Sequence, residues 1–185
     1  MLELFHYFLP AIIVSYFMLS SIFNADYRGV VVVMGISLTV AVCLLASFLV
    51  YSSAKNKNEM CGLITIGHVS GISKIPLSIA IYAYTACYLL YAISVNNHLL
   101  PNLIPFMFFP LIILAEISWI STNQCFTGNQ ILAATGIGVV CGVIWGFIIN
   151  TTKNKNLQYF SGSRTNMCLI PKKQTFKCKV PAPSK

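Results

Sequence analysis

The sequence predicts an all-α membrane protein, a polytopic bundle of about five transmembrane helices followed by a short basic tail. Three observations predict it. Apolar residues make up 57% of the 185-residue chain and charged residues only 9%, whereas a soluble domain carries about a quarter charged residues. The apolar residues gather into long runs, and runs of about 18 or more read as bilayer spans. The excess positive charge, +8 overall, falls largely after the last run. Helices are preferred to barrel strands because the runs are continuously apolar rather than alternating.

The first span covers residues 4–23 and is interrupted only by His6 and Pro10. Glu3 stands where a cleaved signal peptide would be positive, so this run reads as a retained span or a signal anchor. Asn24, Ala25, Asp26, Tyr27 and Arg28 form a polar turn, and 29–51 is the second span, free of charge. The third covers 75–95 with Pro76 in its first turn, where a missing N–H costs nothing. The fourth, 103–121, holds Pro105, Pro110 and Glu116. A polar loop over 122–130 leads to the fifth span, 131–149. Residues 1–149 therefore form a transmembrane domain, and 150–185 an extramembrane tail.

Five spans place the N-terminus and the loops 52–74 and 122–130 on one side, here face A. The turns 24–28 and 96–102 and the tail lie on face B. The tail holds Lys153, Lys155, Arg164, Lys172, Lys173, Lys177, Lys179 and Lys185 with no acidic residue. On face A, Lys55, Lys57 and Lys74 stand against Glu59. The positive-inside rule assigns the more basic face, and with it the C-terminus, to the cytosol. The sequon Asn150-Thr151-Thr152 abuts the membrane on that side and reads as unused.

Within the spans, Ala134, Gly138, Gly142 and Gly146 recur every four residues. They stack as a smooth stripe of the kind that lets two helix backbones approach closely in lipid. The partner is either another span or another copy of the chain. Tyr84, Tyr88 and Tyr91 share a face of the third span and read as a packing stripe. Glu116 is the one carboxylate inside a span, a costly placement that marks an ion pair or a site. Lys74 and His68 are its expected partners, in a structural pair or with the carboxylate snorkelling to the interface, in preference to a catalytic or transport role.

The cysteines divide by location. Cys43, Cys87 and Cys141 lie inside spans and read as small packing residues. Cys61 and Cys125 share face A, and Cys168 and Cys178 share the tail, so either pair could close a disulfide in an oxidising setting. Residues 174–180 alternate as a strand does, which suggests a small tail hairpin. No metal-ligand spacing, Gly-rich phosphate loop or catalytic triad is present, and no cofactor is expected.

Just before the third span stands Val69-Ser70-Gly71-Ile72. Ser118-Trp119 closes the fourth, and Cys125 and Asn129 follow it; Lys55 opens the series. From Lys55 to Gly146 this order of loops and spans resembles the type 2 phosphatidic acid phosphatase superfamily, which gathers three motifs on one membrane face. The resemblance implies a site on face A. It also implies that the site lacks the family's catalytic set. The two His positions hold Ile72 and Cys125, the two Arg positions hold Gly62 and Trp119, and Leu63 replaces the first motif's Pro. A nucleophile, a general acid and cationic clamps on the phosphate are thereby missing.

The tail segment from Cys168 to Cys178, with Pro171, Gln174 and Phe176 between them, resembles tails of membrane proteins encoded by large DNA viruses. That likeness implies a minor structural component of an inner virion membrane, beneath the capsid. The function expected is thus a non-catalytic structural membrane protein. Its partners are the bilayer and other proteins of a large assembly, which the tail contacts through Arg164, Lys172, Lys173, Lys177 and Lys179. Anionic lipid alone would favour such a cluster by about 1 kcal/mol per basic residue; nucleic acid is a less favoured partner. The alternative is a lipid-phosphate phosphatase-like enzyme with a site rebuilt from His68, Ser70, Lys74 and Glu116.

Overall fold

The computed structural model describes residues 2–50, 75–96, 103–153 and 157–158. Five helices fill them: α1 (Leu2–Asn24), α2 (Arg28–Val50), α3 (Leu77–Val95), α4 (Leu103–Thr122) and α5 (Gly128–Thr151). The described residues contain no strand; the expected tail hairpin lies outside them. Three segments are long and apolar enough to cross a bilayer, namely Arg28–Leu49, Leu77–Val95 and Gly128–Thr151.

Hydrogen bonding at the helix ends moves several limits away from the apolar runs. The polar stretch Gly128–Gln130 is the first turn of α5 rather than loop. The backbone N–H of Thr127 donates to Gln130 Oε1 at 2.7 Å, and that of Ile131 donates to the Thr127 carbonyl at 3.1 Å. The side chain of Gln130 thus occupies a donor that a helix start would otherwise leave unpaired. Pro76 is the N-cap of α3, at ψ 103°, and not part of its first turn. Its ring-fixed φ suits either place, but the extended ψ puts it outside the helix. At the start of α2, Ser21 Oγ accepts from the N–H groups of Gly29 at 2.7 Å and Val30 at 3.2 Å. The cap therefore comes from the preceding helix. Just beyond α1, α4 and α5 the chain turns through left-handed residues, Ala25 (φ 49°), Gln124 (φ 51°) and Lys153 (φ 53°). Asp26 N–H then reaches Ser21 O, and Cys125 N–H reaches Ile120 O, each at 3.1 Å, closing the last turns of α1 and α4.

Helix α3 is the centre of the bundle. Its span is 67% buried, against 33% for α2 and 22% for α5. It is also the least apolar of the three, with small residues at Ala80, Ala83 and Ala92 that admit neighbouring backbones. α5 runs parallel to α3: Gly138 meets Ala80 and Ala83, Gly142 meets Tyr84 and Cys87, and Gly146 meets Tyr91. α2 runs antiparallel to both, with Val32 near Tyr84 and Cys43 near Ile79 and Ala80. α4 is antiparallel to α3, and α1 folds back on α2 with Phe17 against Val32. The starts of α3 and α5 consequently share one end of the bundle with the ends of α2 and α4.

Two buried clusters follow from this arrangement. At the shared end, Cys43, Ile75, Ile79, Ile120, Cys125 and Ala134 pack together. Toward the other end, Phe17, Val32, Ile36, Tyr84, Tyr88 and Leu89 form the second.

Candidate functional site

The glycine stripe is an internal seam. A Cβ on Gly138 would stand 2.5 Å from the Ala80 carbonyl oxygen, and one on Gly142 would stand 2.6 Å from that of Tyr84. Ala134 is fully buried in the same row. The partner is α3 of the same chain. At such separation two helices gain dispersion contacts that no larger side chain would allow.

The tyrosines of α3 fill the rest of the centre. Tyr82, Tyr84 and Tyr88 are at most 1% exposed. Tyr84 and Tyr88 stack with ring centroids 6.1 Å apart and planes at 8°. A buried phenol usually finds a hydrogen-bond partner, but Tyr82 Oη has none among the described residues. Tyr84 Oη donates to the Val32 carbonyl at 3.3 Å. Trp145 of α5 does the same, its Nε1–H donating to the Val31 carbonyl at 3.1 Å. Two side chains from two helices therefore bond to neighbouring carbonyls of α2, and both lie against Gly35.

Glu116 points inward from α4. It is 4% exposed, and its Oε1 accepts from Ser78 Oγ of α3 at 2.7 Å. This burial corrects the expectation of a snorkelling carboxylate: the neighbouring hydroxyl satisfies the oxygen that would otherwise seek water. Glu116 holds a further interaction, as do Ser47, Ile75, Trp119 and Asn123. All five lie toward the end where α3 begins. Cys125 joins them there, 7% exposed and disulfide-bonded. Cys43, Cys87 and Cys141 are free thiols.

The remaining expected site residues, His68, Ser70, Lys74, Cys61, Arg164, Cys168, Lys172, Lys173, Lys177, Cys178 and Lys179, lie outside the described residues. Among those described, no group of three His, Cys, Asp or Glu side chains is placed to hold a metal.

The opposite end carries a contact that sequence reading missed. Gln158, beyond the end of α5, is 9% exposed. Its Nε2 donates to Asn150 Oδ1 and its Oε1 accepts from Asn96 Nδ2, each at 3.0 Å. Asn96 Nδ2 also donates to the Ala92 carbonyl at 2.7 Å. The root of the tail is thus pinned across the ends of α3 and α5. Beneath it, Tyr91, Val95 and Gly146 help to line a cavity of about 10 Å³, room for about one water. Only the polar character of Asn96, Asn150 and Gln158 is visible in the sequence, and nothing in their spacing pairs them.

These features define a class, an all-helical bundle with three helices able to cross a bilayer and polar clips at both ends. No family model, curated protein or solved structure matches the chain.

Proposed function

We propose that the chain is a multi-pass, non-catalytic structural membrane protein, with all five helices crossing the bilayer and a basic tail that docks onto an assembly partner. Helices α1 and α4 have 23 and 20 residues. At ~1.5 Å per residue they are about 34 and 30 Å long, enough for a hydrocarbon core of ~30 Å. Leu49, Phe23, Phe48, Phe108 and Phe147 stand on the outside, 57–83% exposed. Lipid accommodates such a surface, and water does not.

The observation that carries the non-catalytic reading is the way Glu116 is held. A buried carboxylate hydrogen-bonded to Ser78 of the next helix acts as a cross-link between α3 and α4. The proposed setting, an inner virion membrane, rests on the likeness of the Cys-bearing tail to those of large DNA viruses.

Two measurements test the proposal. Protein in lipid nanodiscs should release no phosphate from phosphatidic acid above the level of the Glu116→Gln and His68→Ala variants. Release by the wild-type chain that either substitution abolishes would establish the enzyme instead. Removing residues 159–185 keeps Gln158 and should leave membrane insertion and melting temperature unchanged while releasing the protein from its sedimenting assembly. Unchanged sedimentation would overturn docking through the tail.

A further inference from the structure

We infer that Cys125 is joined to Cys61, that face A therefore lies in an oxidising compartment, and that the tail with Cys168 and Cys178 lies on the reducing side. The inference rests on the five-span reading for its two faces. Cys125 is disulfide-bonded, and the chain has seven cysteines. Three of the others, Cys43, Cys87 and Cys141, are free, which leaves Cys61, Cys168 and Cys178 as partners.

Chain course separates these three. Cys125 lies before α5, and the tail leaves from the far end of that 24-residue helix, about 36 Å away at ~1.5 Å per residue. To reach Cys125, Cys168 would draw Arg164, and Cys178 would draw Lys172, Lys173 and Lys177 as well, back across the apolar thickness. Unpaired charges and unbonded backbone are excluded there. The pinning of Gln158 to Asn150 and Asn96 further fixes the root of the tail at the far end. Cys61 falls in the connection between α2 and α3, and both of those helices meet that connection at the Cys125 end.

The bond has a compartment written into it. When it forms, two thiols lose two protons and two electrons. These pass by thiol–disulfide exchange to a protein or glutathione disulfide, which is reduced to thiols. Such oxidants prevail in secretory, periplasmic and extracellular spaces and not in the cytosol. The tail, with its uniform positive charge, independently belongs on the cytosolic side. Charge and redox chemistry therefore assign the same orientation from residues at opposite ends of the bundle.

The test uses the full chain in its native membranes, with free thiols trapped by N-ethylmaleimide at lysis. Non-reducing digestion and mass spectrometry should give a Cys61–Cys125 linked peptide that is lost on reduction, with Cys168 and Cys178 alkylated. Alkylated Cys125, or Cys125 linked to Cys168 or Cys178, overturns the pairing. A Cys125→Ser variant then checks the faces separately. A membrane-impermeant maleimide applied to sealed vesicles should label its freed Cys61 from the side opposite to Cys168. Labelling of both from one side refutes the five-span reading itself, whatever the state of the bond in the wild type. Cys61 labelled only from the cytosolic side overturns the orientation while leaving five spans intact.

Discussion

The carbonyl oxygen of Ala80 stands 2.5 Å from the point where Gly138 would carry a Cβ. Backbone lies against backbone at that point, and the neighbour cannot rotate aside as a flexible side chain would. Gly138→Ala should therefore destabilise the bundle by about 1–3 kcal/mol through overpacking. Gly136, in the same helix, has open space where its Cβ would go, and Gly136→Ala should be neutral or stabilising by up to ~1 kcal/mol. Thermal unfolding of both variants in one detergent checks the contrast. Equal effects would mean that the seam does not depend on the missing side chain.

Gly35 and Tyr84 make a second such pair. A Cβ on Gly35 would collide with the Tyr84 hydroxyl, which itself bonds to the Val32 carbonyl. Tyr84→Phe should cost about 1 kcal/mol for the lost hydrogen bond. It should also relieve part of the penalty of Gly35→Ala, the remainder coming from the Tyr84 ring and Trp145. In a double-mutant cycle the pair is expected to be less destabilised than the sum of the two singles. Strict additivity would contradict the contact.

The Ser78–Glu116 bond at 2.7 Å joins α3 to α4 near the end that holds Cys125. Ser78→Ala should lower stability by about 1–3 kcal/mol, because a buried acceptor loses its donor. Glu116→Ala should cost more, because Glu116 holds a further interaction besides Ser78. Unfolding curves rank the two, and the reverse order would count against the cross-link.

At the other end, Gln158→Ala removes both hydrogen bonds that hold the tail root to Asn96 and Asn150. Amide hydrogen exchange after Thr151 should accelerate several-fold while the interior of α5 is unchanged. Unaltered exchange would show that the clip does not restrain the tail.

Ala25 occupies a left-handed conformation at φ 49°, which costs an L-residue with a Cβ roughly 1–2 kcal/mol. Ala25→Gly should recover part of that strain. Some is offset by the extra freedom glycine brings to the unfolded chain. A small rise in melting temperature is the expected outcome, and a fall would mean that the Ala25 methyl group makes a packing contribution larger than the strain.

The helices were legible in the sequence because a long apolar run is a local property. Their ends were less so: Gly128, Asn129 and Gln130 are polar and look like loop, yet the Gln130 side chain turns them into a helix start. The glycine stripe was legible as a smooth surface, but its partner required knowing that α3 and α5 lie parallel. Glu116 was singled out by its charge, whereas Ser78 was invisible because a serine thirty-eight positions away carries no signal of its own. The clip formed by Gln158 was missed for the same reason. Polar pairs between distant elements are products of topology, and topology is not periodic.

The parallel pairing of α3 with α5 also sets an order of events during biosynthesis. α3 ends at Val95 and α5 at Thr151, so 56 residues (151 − 95) separate their ends. Ribosomes add roughly 5–20 residues per second, so the two helices emerge about 3–11 s apart. Over that interval the face of α3 built for glycine backbone has no mate. Whatever lies in the translocation channel, lipid or insertion machinery, has to occupy the groove and then yield it. The most buried helix of the mature bundle is thus the one most dependent on shelter while the chain is being made.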